Sequence, residues 1–162
     1  ISMAKSLGGG FPMGAFWLRT PFADVLGPGT HGTTFGGTPL GCAVALRILE
    51  VIQRERLDEN ARTVGQLLHD QLCGLQARYP GLISSVRGVG LILGFELGRE
   101  IPAFKGSDKA PSLLMVQRLQ EAGLILIPSG THVLRLLPPL NLTPAEAMEG
   151  IQRIETVLAK LA

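Results

Sequence analysis

Aromatic side chains are scarce in this chain: one Trp, one Tyr and six Phe amount to 5% of its 162 residues. That is too few to build a platform on which bases could stack. Positive charge is not concentrated either, because 15 Lys and Arg against 13 Asp and Glu leave a net charge of +2 with no cluster that could track a phosphate backbone. A nucleic-acid partner is therefore not expected. No apolar run approaches the roughly 20 residues that cross a bilayer, and no basic segment followed by an apolar core and a cleavage site marks a leader. The expectation is a cytoplasmic protein without a membrane partner. Cys42 and Cys73 are the only cysteines, which makes no disulfide framework, and they lack the paired spacing of zinc ligands. His31, His69 and His132 are scattered, so no metal site is expected. Repeats and low-complexity tracts are absent.

What the chain has in excess is apolar material and glycine. Hydrophobic residues make 46% and charged residues 17%, a rich balance for a free-standing domain of this size. Part of that apolar surface is expected to meet another polypeptide. The glycines do not form a nucleotide fingerprint, since Gly8 to Ala15 lacks the Gly-Lys-Ser/Thr of a P-loop and no Gly-x-Gly-x-x-Gly opens a helix after a strand.

Lys5 stands in the string Met3-Ala4-Lys5-Ser6-Leu7-Gly8-Gly9-Gly10-Phe11-Pro12-Met13-Gly14-Ala15. An amine drawn out of water into an apolar setting holds its proton less tightly, and a neutral lysine can condense with an aldehyde. The glycines behind it let the backbone turn sharply and let a bulky ligand lie close. The plainer alternative is a solvated lysine ahead of a turn.

A second block, His31-Gly32-Thr33-Thr34-Phe35-Gly36-Gly37-Thr38-Pro39-Leu40, sets hydroxyls and glycines before an apolar stretch that reads as helix. Helix N-termini attract phosphate. Thr38-Pro39 has the form of an N-cap with proline at the first helical position, which is ordinary helix-start chemistry. Thr33 and Thr34 precede the cap in a Gly-flanked loop and remain candidate anion ligands.

The third candidate is Arg135, the only full charge in His132-Val133-Leu134-Arg135-Leu136-Leu137-Pro138-Pro139-Leu140. Alternation over this run predicts a strand. A guanidinium there can clamp a carboxylate through two parallel hydrogen bonds; equally, periodicity allows an arginine on the solvent side of a half-buried strand or one paired with a structural acid.

Along the chain, Met13 to Leu18 reads as a strand and Pro21 to Thr30 as a connection. Pro39 to Gln53 reads as a largely buried helix and Leu57 to Arg78 as an amphipathic one, stopped by Pro80-Gly81. Strands are expected at Ile83 to Arg87, Leu91 to Leu97, Leu124 to Ile127 and Val133 to Leu137, and a polar loop from Arg99 to Pro111. Ser112 to Ala122 and Thr143 to Leu161 read as helices, the last with a capping box in Thr143-Pro144-Ala145-Glu146.

The Lys5 string, the Thr33-Thr34 block and Arg135-Leu136-Leu137-Pro138-Pro139 together resemble class III aminotransferases, pyridoxal-phosphate (PLP) enzymes of fold type I. The resemblance runs essentially the whole length. It implies an α/β chain that completes the large PLP-binding domain over residues 1–56, crosses on a bridging helix over 57–79 and forms a small α+β C-terminal domain over 80–162. It also implies Lys5 as the cofactor lysine and catalytic residue, Thr33 and Thr34 at the phosphate, and Arg135 on the substrate carboxylate. Thr34 would act in the neighbouring active site of a homodimer. Where the family usually has Asn, this chain has Thr38, which keeps the cap and not the amide.

The strings are closer to acetylornithine than to ornithine aminotransferases, which implies N-acetylornithine with 2-oxoglutarate, in arginine biosynthesis. Ornithine, succinyl-ornithine, 4-aminobutyrate or a lysine-pathway compound are the alternative substrates. The chain starts two residues before the lysine string, and the family's ring-nitrogen aspartate, stacking aromatic, phosphate-turn glycines and second carboxylate arginine would lie upstream; a fragment unable to transaminate alone is expected. A non-catalytic binding or assembly module on the same fold is the rival reading, since fold does not fix function.

Overall fold

The computed structural model describes residues 1–34 and 36–162. The chain divides into two compact units, Ile1–Leu57 and Asp58–Ala162.

In the first unit, strands β1 (Ser2–Met3) and β2 (Ala15–Phe16) pair antiparallel. Mutual hydrogen bonds between Ile1 and Trp17 extend the ladder by one step. The strand expected over Met13 to Leu18 is thus only two residues long, and the following connection contains a 3-10 turn over Thr20–Val25. Helix α1 (Pro39–Arg54) starts where the Thr38-Pro39 signal puts it. Thr38 Oγ1 accepts from the Gly41 amide at 3.4 Å and satisfies one of the orphan donors of the first turn. The expectation that this helix is largely buried fails: Gly41 and Ala45 alone are buried along it, while Leu40, Leu46 and Leu49 are exposed.

The second unit holds helices α2 (Leu57–Arg78), α3 (Pro111–Glu121) and α4 (Pro144–Leu161). Its strands are β3 (Ile83–Val89), β4 (Ile92–Leu97), β5 (Ile127–Ser129) and β6 (Val133–Leu136). They form one antiparallel sheet in the order β3-β4-β6-β5. Side chains alternate across a pleated sheet, so one face can be core and the other open. Leu93, Phe95 and Leu97 of β4 and Leu134 and Leu136 of β6 supply the core face. They join Leu68, Leu72 and Leu75 of α2, Met115 and Leu119 of α3, and Ile151, Ile154 and Leu158 of α4 in a single cluster. Helix α2, read from sequence as a bridge, thus gives its apolar stripe to this core. Its Gly65 meets the β3–β4 turn so closely that a Cβ there would lie 2.2 Å from the Gly90 carbonyl oxygen.

Two boundaries shift from the sequence reading. The loop after Arg99 is not simply polar, because it turns through a 3-10 segment at Pro102–Phe104 and buries Ile101 and Phe104. Strand β5 begins at Ile127 rather than Leu124, since the Leu124 amide still bonds back to the Leu119 carbonyl and closes the end of α3. At the start of α4 the capping box forms as read: Glu146 N donates to Thr143 Oγ1 at 3.2 Å and Thr143 N to Glu146 Oε2 at 2.9 Å. Those bonds to Thr143, backbone first and hydroxyl second, hold the Glu146 carboxyl below its ordinary range. No helix among the described residues is long and apolar enough to cross a membrane.

Candidate active site

Lys5 opens a single 3-10 turn, Lys5–Leu7, in the loop that joins β1 to β2. Its backbone sits at φ 55, in the left-handed region that L-residues other than glycine, Asn and Asp seldom enter. Gly9 and Gly10 continue at φ 54 and 111, and a Cβ on Gly8 would strike the Phe11 carbonyl oxygen at 2.0 Å. Glycine is therefore required for this turn by geometry. Backbone strain of this kind costs on the order of 1–3 kcal/mol and gathers at functional sites.

The amine itself departs from expectation. It is exposed in this chain rather than drawn out of water, because the Lys5–Leu7 turn contains no buried residue to pack over it. No described residue gives it a hydrogen bond or ion pair.

Thr33 and Thr34 lie in the loop before α1, both exposed, and neither hydroxyl has a partner among the described residues. The Gly36 amide donates to the Thr33 carbonyl at 3.3 Å and turns the chain toward the Thr38 cap. Phe35 lies outside the described residues. A cavity of about 230 Å³ belongs to the second unit, and one of about 120 Å³ to the first. The smaller is lined by Pro12, Met13 and Gly14 from the lysine loop and by Thr33 and Gly37 before α1. The structure thus brings Thr33 against the tail of the lysine string, whereas Lys5 and Thr34 do not line this cavity.

Arg135 projects from the open face of the second unit's sheet, between Gly94 on β4 and Ile127 on β5. It is exposed, and no described residue pairs with it. Among the described residues no structural acid pairs with it; the solvent-facing alternative and the carboxylate clamp share this geometry. Arg135 is among the residues that line the 230 Å³ cavity, together with Leu68, Leu137, Pro138 and Ile151. The loop beyond it is tied down by Asn60 of α2, whose amide donates to the Leu140 and Leu142 carbonyls at 2.7 and 3.0 Å.

Sequence reasoning missed Asn60, and it missed Arg87 and Glu96 on the open face. Arg87 Nη1 donates to Glu96 Oε2 at 3.0 Å and to Ser85 Oγ at 3.2 Å. Arg87 first and Ser85 second hold the Glu96 carboxyl below its ordinary range. Only the strand register brings these groups together, and register is not written in either strand alone.

Over residues 1–158 the chain matches the family model described as aminotransferase class-III. This chain belongs to the class III aminotransferase family. It is 39% identical over 161 residues to the acetylornithine aminotransferase of Synechocystis sp., covering 99% of this chain and 36% of that protein. The crystal structure of the acetylornithine aminotransferase from Elizabethkingia anophelis superposes with a TM-score of 0.84 at 34% identity, covering 98% of this chain and 38% of that one. An amine transaminase from an uncultivated Pseudomonas species, solved in its PLP-bound form, gives 0.84 at 32% identity over 99% and 38%. The chain therefore spans little more than a third of the length of the curated relatives it matches.

The donor set suits PLP. A lysine without a partner among the described residues is available to an aldehyde, and two hydroxyls in the loop ahead of a helix N-terminus, of which Thr33 shares a cavity with the helix's first turn, are available to a phosphate.

Proposed function

We propose that this sequence works within an enzyme of its relatives' length as the part that carries the cofactor lysine, a phosphate ligand and a substrate-carboxylate clamp of a PLP-dependent aminotransferase. Residues 1–56 would complete the large domain, 57–79 bridge, and 80–162 form the small domain. The observation that carries this is Lys5 itself: a non-glycine residue at φ 55, heading a glycine turn, with an amine that no described residue engages.

PLP supplies the electron sink when bound. Lys5 Nζ would hold it at rest and, once released as a free amine by the incoming substrate amine, would hold the proton taken from the substrate carbon that bears the transferred amino group. Thr33 and Thr34 hydroxyls would donate to the phosphate. Arg135 holds the substrate carboxylate by its planar fork and so fixes which carbon faces Lys5. Thr34 would donate across a two-fold interface, so each site of a homodimer draws on both chains, and cofactor retention and dimerisation would reinforce each other. The many exposed apolar side chains of the first unit support such an interface.

The names of the relatives favour N-acetylornithine as amino donor; 2-oxoglutarate as acceptor, the cytoplasm and arginine biosynthesis are proposed with it from the resemblance of the motif strings. The test is turnover by the full-length enzyme of N-acetylornithine, ornithine, succinyl-ornithine and 4-aminobutyrate with 2-oxoglutarate. Preference for N-acetylornithine is expected, and preference for ornithine would reassign the donor while keeping the class. Failure to turn over any amine while PLP stays bound would favour a binding module.

A further inference from the structure

Strand β6 ends where the sheet can no longer hold the chain. Its last rung pairs Leu136 with Leu93, and Arg135 stands one residue inside that end. Beyond Leu137 come Pro138 and Pro139, which have no N–H and cannot extend a ladder. The chain then reaches Thr143, the cap of α4, by other means.

Asn60 supplies them. Its one amide group donates to two carbonyls of this loop, Leu140 O at 2.7 Å and Leu142 O at 3.0 Å. A carboxamide carries two N–H donors on one end and an oxygen on the other, so a pair of acceptors on one side fixes which end faces them. This staple is not what starts α4, because the Thr143–Glu146 capping box does that. Nor does it bend the loop, since the Leu142 amide donates to the Pro139 carbonyl at 3.0 Å. It does nothing for α2 either: both donors leave the helix, and Asn is a poorer helix former than Ala. What remains is placement. The segment from Arg135 to Leu142 is held between the β4–β6 ladder at one end and Asn60 at the other. The bond to Leu140 is exposed, so water can replace it, and losing the staple costs little stability and much definition.

We infer that Asn60 is a positioning residue for Arg135: it fixes the loop after β6, so that the strand end bearing the guanidinium does not fray and the clamp for a substrate carboxylate stays in place. The inference rests on the reading of Arg135 as that clamp. A planar fork demands alignment, because two parallel hydrogen bonds to a carboxylate form in one orientation of the guanidinium only. Misplacement by about 1 Å can cost about 100-fold in rate. Asn60 and Arg135 both belong to the second unit, and Asn60 itself touches neither substrate nor cofactor in this scheme.

The test is a double-mutant cycle in the full-length enzyme, made of Asn60→Ala, Arg135→Ala and the two together. With N-acetylornithine, Asn60→Ala should raise KM about three- to tenfold, change kcat by less than about twofold and leave the PLP absorbance as in the wild type. In the Arg135→Ala background the same substitution should change kcat/KM by less than about twofold, because no clamp is left to place. Butylamine, an amine without a carboxylate, should react equally with the wild type and with Asn60→Ala. Asn60→Asp keeps the shape and loses both donors, so it should repeat the KM effect, and it decides the matter where the alanine variant does not fold. Hydrogen exchange read by mass spectrometry should quicken chiefly over 136–142 in either variant. Losses that multiply fully in the double variant, an equal loss with butylamine, or unchanged exchange over 136–142 would overturn the role. A wild type that turned over no amino acid would instead be the failure of the aminotransferase reading, and the exchange result would still report on the staple.

Discussion

The two units of the chain treat apolar residues in opposite ways. In the second, Leu72, Phe95, Leu134 and Leu158 are each 0% exposed and belong to one core. In the first, Trp17 is 53% exposed and Phe22 57%, and among the described residues Ala45 is the only buried hydrophobic side chain. Three helices against one face of a four-stranded sheet bury their stripes within this chain, whereas a two-residue hairpin and a helix with two buried positions cannot. The lysine and both threonines sit in the unit that does not close on itself. Arg135, by contrast, sits on the open face of the unit whose apolar side chains are buried in one core.

The contrast predicts an ordered set of mutational effects. Phe95→Ala, which empties a sealed position, should cost about 3–5 kcal/mol of unfolding free energy, read by denaturant unfolding with a probe in the second unit. In the full-length enzyme, Arg135→Ala should lower kcat/KM by about 10- to 150-fold, the equivalent of losing about 1.5–3 kcal/mol of charge-assisted bonding; steady-state kinetics with unchanged PLP absorbance would read it. Gly65→Ala drives a Cβ toward the Gly90 carbonyl, and overpacking of that kind costs about 1–3 kcal/mol. Thr143→Ala should cost about 1 kcal/mol by removing the cap of α4. At the bottom, Leu46→Ala on exposed α1 should change the stability of this chain by less than about 0.5 kcal/mol. A large Leu46 effect would show that the first unit is packed after all, and the comparison would break.

Acid should separate the same two regions. The depressed carboxyls, Glu96 and Glu146, both lie in the second unit. A carboxyl lowered by native bonds stabilises the fold fully above its unfolded value, and that contribution is lost as pH falls through the lowered one. The window lies below the ordinary glutamate value of 4.5. Glu146→Gln should flatten the acid limb of the stability profile of the second unit and leave its neutral-pH shape unaltered.

Much of the second unit was legible because its signals are local. The 3.6-residue stripe of α2 gave its bounds from Leu57 to Arg78, and Thr143 and Glu146 gave the start of α4. Strand β5 was misplaced because Leu124, Ile125 and Leu126 look like strand by composition, while the carbonyl of Leu119 claims the Leu124 amide. Pro128 is tolerated there because β5 is an edge strand. In the first unit, apolar composition suggested a buried α1, but burial depends on what lies opposite, which composition does not report. The exposure of Lys5 has the same origin. At the candidate site, chemistry-bearing residues could be picked out by type and neighbours, whereas the alignment of Arg87, Gly94 and Arg135 exists only once four strands are in register.

The central claim is that Lys5, alone among the lysines, is the cofactor residue. Its most direct test is borohydride reduction of the full-length enzyme saturated with PLP, followed by peptide mapping of the pyridoxyl label. The label should fall stoichiometrically on Lys5, and Lys105, Lys109 and Lys160 should stay unmodified. A stoichiometric label on another lysine, or an undiminished label in a folded Lys5→Ala variant, would contradict it.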